Sequence, residues 1–68
     1  MTLTIEVEKE SDGRWLTEIP SLPGVMVYGH TRKEAIAKVK ALALRVLADR
    51  LEHGETVPAL VRVFSVAA

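Results

Sequence analysis

Residues 2–9 alternate in polarity, with Leu3, Ile5 and Val7 on one side and Thr4, Glu6 and Glu8 on the other. That period of two predicts a half-buried β-strand. Ser11-Asp12-Gly13 is turn chemistry, with Gly13 free to take positive φ. Residues 14–19 follow as a second strand, with Trp15, Thr17 and Ile19 on one face and Leu16 between charges on the other. Two strands around a short Gly-containing loop predict a hairpin. Pro20-Ser21-Leu22-Pro23-Gly24 interrupts the pattern, because two prolines cannot sit inside a sheet ladder. Val25-Met26-Val27-Tyr28 is a short third strand stopped by Gly29, which completes an antiparallel meander.

The period then changes. Thr31-Arg32-Lys33-Glu34 is a capping box, in which the Thr31 hydroxyl accepts from the Glu34 N–H and the Glu34 carboxylate reaches back to the Thr31 N–H. No Gly or Pro occurs from there to His53, and Ala, Leu, Lys and Arg dominate. Gly54 is placed to end one long helix. Its apolar positions, among them Val39, Ala43, Leu44, Leu47 and Leu51, sweep roughly 200° at 100° per residue, against about 100–140° for a one-sided stripe. Either the core contact is wide or a second apolar face is held for a partner. Residues 60–66, Leu-Val-Arg-Val-Phe-Ser-Val, have the composition of a last strand. Reached through a helix, it is expected parallel to strands one and three by a right-handed crossover. The order βββαβ is an α+β layer of one long helix on a four-stranded mixed sheet.

Composition narrows the class. With 68 residues, 49% hydrophobic and 26% charged, the chain is one globular domain over 1–68. Nine basic and nine acidic residues cancel, so no field of one sign steers it onto nucleic acid or an anionic membrane. The first ten residues have no basic start and no apolar run, and the longest uncharged stretch, 19–31, holds two prolines and two glycines. Neither a leader nor a membrane span is expected, and the expected compartment is the cytoplasm. A chain this small buries only about 60% of its unfolded surface and is marginal alone. Cysteine is absent, and His30 and His53 are not grouped as metal ligands, which leaves association with other copies as the stabilising device. A homo-oligomer, a dimer or a dimer of dimers, is expected.

Reactive chemistry is missing. Glu6, Glu8 and Glu18 can share one sheet face, but a solvated surface explains them, and Asp12 and Asp49 do not join them. Ser11, Ser21 and Ser65 lie in no Gly-x-Ser-x-Gly turn, and Gly24 and Gly29 form no phosphate cradle. No catalytic, metal or cofactor residue is assigned, and no enzyme is expected. Arg32, Lys33, Lys38 and Lys40 crowd the helix start, which leaves weak nucleic-acid binding as an alternative. Trp15 and Tyr28 are two of the three aromatics and are either core fillers or interface anchors. The contact residues expected are Trp15, Tyr28, Leu44, Leu47, Leu51 and Phe64.

Several short motifs recur together in one family. Gly13-Arg14-Trp15 precedes Ile19-Pro20-Ser21-Leu22-Pro23-Gly24, and Gly29-His30-Thr31 leads into Glu34-Ala35. Gly54-Glu55-Thr56-Val57-Pro58 follows the helix. In order and spacing these resemble the HicB-like antitoxin family over about residues 3–60. The resemblance implies a degraded ribonuclease H-like fold with sheet order 3-2-1-4 and lost catalytic carboxylates. It also implies a partner, a small HicA-type messenger-RNA-cleaving toxin whose active site is covered. Many members add a DNA-binding module. None follows the last strand here, so operator binding by this chain alone is not expected. A stand-alone oligomeric scaffold with an unrelated partner is the other reading.

Overall fold

A computed structural model of the chain describes residues 2–60 and 63–67. Three strands, β1 (Glu6–Lys9), β2 (Trp15–Glu18) and β3 (Met26–Gly29), precede the helix α1 (Arg32–Glu52) and a short 3-10 helix (Pro58–Leu60). The sheet order is β1-β2-β3, both pairs antiparallel, with Lys9 opposite Trp15 and Leu16 opposite Tyr28. The class is therefore α+β, with the meander and the single long helix in place.

Each turn has a local cause. Gly13 donates to the Glu10 carbonyl and takes φ +90°, while the Glu10 N–H bonds the Arg14 carbonyl. This is a type I turn closed by a left-handed glycine, a frequent three-residue hairpin loop. The Asp12 carboxylate accepts from both the Arg14 backbone N–H and its Nε, which braces the turn. Between β2 and β3, the Ile19 N–H bonds the Val25 carbonyl and the Leu22 and Val25 N–H groups bond Ile19 and Leu22 carbonyls. The proline-bearing loop thus folds back on itself and inserts Leu22 into the core.

The helix begins and ends as its sequence specifies. Thr31 is the N-cap, and its hydroxyl accepts from the Glu34 N–H at 3.0 Å. The Glu34 carboxylate is drawn instead along the helix to Lys38, 2.9 Å away. At the other end the Glu55 N–H bonds the Arg50 carbonyl and the Gly54 N–H the Leu51 carbonyl, with Gly54 at φ +75°. This is a Schellman motif, which satisfies carbonyls that the helix leaves unpaired.

The core lies between the inner sheet face and α1. Ile19, Leu22 and Val25 come from the loop, Val39, Ala43 and Leu47 from the helix, and Val57 from the chain beyond it. Fully burying each of the larger side chains contributes about 1.5–3 kcal/mol. The wide apolar arc of the helix is split by this packing. Leu47 is 3% exposed and belongs to the core, which corrects its expected place on the outer side; Leu44, at 67%, stays outside.

The strand expected over 60–66 does not form among the described residues, and Val61 and Arg62 lie outside them. Pro58 opens a 3-10 turn in which the Leu60 N–H bonds the Val57 carbonyl, and the Val63 N–H then bonds the Leu60 carbonyl. These turn bonds take up the Leu60 and Val63 N–H groups locally, so neither is offered to a ladder. The four-stranded mixed sheet of order 3-2-1-4 therefore reduces to an antiparallel three-stranded one. The wider ribonuclease H-like arrangement, which needs that strand, is not shown among the described residues. The first strand is also shorter than its alternation suggests. Pairing begins at Glu6 opposite Glu18, and Leu3 and Ile5 pack against the core ahead of the ladder.

Candidate functional site

The register sorts every strand residue onto one of two faces. The inner face carries Val7 and Lys9, Trp15 and Thr17, and Val27 and Gly29. Thr17 is fully buried there, with Oγ1 at 3.1 Å from the Val27 carbonyl and 3.0 Å from the Ala35 carbonyl. A single hydroxyl proton is shared between a strand and the first turns of α1, and it ties one to the other. Beside it, a Cβ on Gly29 would stand 2.6 Å from the Ala35 nitrogen and 2.8 Å from its Cα. Only hydrogen fits at this approach of β3 to the helix. Neither residue stands out in the sequence as a clamp. Their role depends on the sheet–helix distance, which no local pattern encodes.

The outer face is open. Glu6 and Glu18 stand directly opposite each other, Glu8 opposite Leu16, Leu16 opposite Tyr28, and Glu18 opposite Met26. Like charges directly across a ladder are unfavourable for folding. The resulting surface is acidic along β1 and apolar along β3, where Met26 and Tyr28 are exposed. A shallow depression is lined by Glu6, Val7, Glu8, Leu16 and Glu18. Leu16 and Met26 belong to this surface and were not among the expected contact residues. The signal was present, because Leu16 sits between charges in an alternating strand.

The two expected aromatics fall on opposite faces. Trp15 is half-buried on the inner side, with the Lys9 ammonium 5.6 Å from its ring centroid. Tyr28 lies on the outer side, with the Arg14 guanidinium 4.3 Å from its ring. Arg14 also pairs with Asp12 at 2.7 Å, so an acid, a cation and an aromatic ring form one chain at the hairpin end. The backbone N–H and side chain of Arg14 hold the Asp12 carboxyl below its ordinary pKa. The Lys38 ammonium does the same for Glu34.

The exposed side of α1 presents Leu44 and Leu51. Leu44 borders an apolar groove of about 260 Å³, completed by Leu3, Ile5, Ile19, Lys40 and Ala43. Phe64, 69% exposed, and Val66, 97% exposed, stand clear of the body. Of the expected contact residues, Leu44 and Leu51 thus share a helix side, Phe64 is separate, and Leu47 joins the core. Arg32, Lys33 and Lys40 line a shallow basic surface with Ile36 and Ala37, while Lys38 lies elsewhere beside Glu34.

No group of three or more His, Cys, Asp or Glu among the described residues is arranged to hold a metal ion. His53 caps the helix, its Nδ1 donating to the Asp49 carbonyl at 2.7 Å. No helix among the described residues is long and apolar enough to cross a membrane. The surfaces open to another molecule among the described residues include one acidic and apolar on the sheet, one apolar beside the helix and one basic at the helix start.

No family model matches the sequence, and no solved structure matches it. One curated relative is a UPF0150 protein, Ta0767, from Thermoplasma acidophilum. It is 31% identical over 58 residues, which are 85% of this chain and 84% of that protein. An alignment of that length takes in β2, β3, the helix and the helix-ending turn together. The chain therefore belongs to the UPF0150 family.

Proposed function

We propose that this chain is a non-catalytic protein-binding module of the HicB-like type. In this reading it neutralises a small HicA-type messenger-RNA-cleaving toxin in the cytoplasm and acts as a homo-oligomer, a dimer or a dimer of dimers. Membership of UPF0150 is loosely consistent with an antitoxin-like role. The observation that carries the reading is the outer sheet face, where Glu6, Glu8 and Glu18 surround Leu16 next to exposed Met26 and Tyr28. An enzyme that cleaves RNA must present a basic surface to phosphates. An acidic rim around an apolar centre complements such a surface, with steering from the charges and anchoring from the aromatic ring. The fourth strand of the 3-2-1-4 order, and with it the ribonuclease H-like sheet, belongs in this reading to the associated form.

The test is co-expression with a small basic RNA-cleaving protein encoded beside this chain. An equimolar amount should abolish cleavage, and Tyr28→Ala with Leu16→Arg should restore it without loss of helix content. Cleavage that continues at equimolar protein overturns the reading in favour of a stand-alone scaffold with another partner. A second reading, weak nucleic-acid binding, has its support in the basic surface of Arg32, Lys33 and Lys40. Binding to RNA that weakens steeply with salt and is lost in Lys33→Glu would favour it.

A further inference from the structure

The surface of the chain is too large for its mass. It exposes 5201 Å², whereas a compact 7.5 kDa monomer exposes about 4,200 Å². The excess, roughly 1,000 Å², approximates the share of about 800 Å² that each partner buries in a standard interface. Shape agrees with surface. The radius of gyration is 14.0 Å against about 11 Å for a compact chain of this length. The longest dimension is 52 Å, of which the 21-residue helix accounts for about 32 Å. Segment 63–67 carries exposed Val63, Phe64 and Val66, which a soluble body would cover.

A matching vacancy lies on the body. β1 pairs with β2 alone among the described residues, so its other edge keeps unpaired backbone donors and acceptors. Just ahead of β1, Leu3 and Ile5 form the 260 Å³ groove with Ile19 and the Lys40–Leu44 side of α1. As a strand, segment 63–67 would place Phe64 and Val66 on one face and Val63 and Ser65 on the other.

We propose that segment 63–67 of one copy docks on a second copy of this chain. It adds as a strand to the free edge of β1 and seats Phe64 in the groove beside Leu44, and the exchange is reciprocal about a two-fold axis. This rests on the homo-oligomer part of the reading above and is independent of any toxin. It accounts for the lack of a fourth strand among the described residues, because the strand that completes each sheet comes from the partner. It also covers Leu44, which packing within one copy leaves out.

The test uses the full chain. Light scattering at micromolar concentration should give twice the 7.5 kDa chain mass. Phe64→Glu should raise the dimer dissociation constant by about 30-fold or more, as loss of an interface anchor does. Its helix content should not change, since Phe64 lies outside the core cluster. The sequence has no cysteine, so a chain with Phe64→Cys mixed with a chain bearing Lys40→Cys should form the mixed disulfide ahead of either homodimer. A wild-type mass of one chain overturns both the oligomer and the exchange. A dimer indifferent to Phe64→Glu overturns the exchange and leaves the oligomer. A chain bearing both cysteines that closes on itself at monomer mass shows that the segment folds back on its own body, which also overturns the exchange.

Discussion

Single atoms decide the closest contacts of this fold. At Gly29 the space for a Cβ is already taken by the Ala35 backbone, 2.6 Å away. Backbone cannot swing aside as a flexible side chain can, so Gly29→Ala is expected to cost about 1–3 kcal/mol by overpacking. Urea unfolding of the variant measures it, and an unchanged midpoint would show that helix and strand can separate without penalty. Thr17→Val tests the neighbouring clamp. It keeps the shape and removes the hydroxyl proton that the Val27 and Ala35 carbonyls share, for an expected loss of about 1 kcal/mol. The carboxylates of Asp12 and Glu34 act through ionisation. Both titrate below their ordinary values of 3.8 and 4.5, so the folded state favours their charged forms. Their contribution is present above those ordinary values and is lost as pH falls through the lowered ones. Both pairs face water, which keeps the effect small. Asp12→Asn with Glu34→Gln should flatten the acid limb of the stability curve, as a pH series of thermal melts would show.

At the scale of the element, the helix separates two roles that its sequence merges. Leu44 and Leu47 are three positions apart on one apolar arc, yet one is 67% exposed and the other 3%. Leu47→Ala should cost about 2–5 kcal/mol through the cavity it leaves. Leu44→Ala should change the stability of the dilute chain by less than about 0.5 kcal/mol. Equal costs in denaturant titrations would place Leu44 in the core. Thr31→Ala should cost about 1 kcal/mol by removing the acceptor for the Glu34 N–H. Only this half of the expected capping box is realised, because the Glu34 carboxylate finds a full charge on Lys38 one turn along.

For the whole molecule, the governing quantity is surface left uncovered. An apolar segment, an open strand edge and an apolar groove lie on one chain of 68 residues. Folding coupled to association makes stability depend on concentration. The melting midpoint should rise as protein concentration is raised from nanomolar to micromolar, by differential scanning fluorimetry. A midpoint independent of concentration would mean that the body is self-sufficient.

What the amino-acid order determined by itself is local. The hairpin at Gly13, the proline-bearing loop, the Thr31 cap and the Gly54 stop each depend on backbone preferences and hydrogen bonds within a few residues. All four are found where the sequence puts them. The partition of Trp15 and Tyr28 between faces was decided by the register of β2 against β3. The separation of Leu47 from Leu44 was decided by which side of α1 meets the sheet and Val57. In the described part of 60–66 local turn bonds at Leu60 and Val63 stand where a ladder was expected, since β-composition is a capacity to pair and not a pairing. Alternation and helical period state which residues can share a face. Only the assembled layers settle which face is covered, because burial depends on the distance and shape of what packs against it.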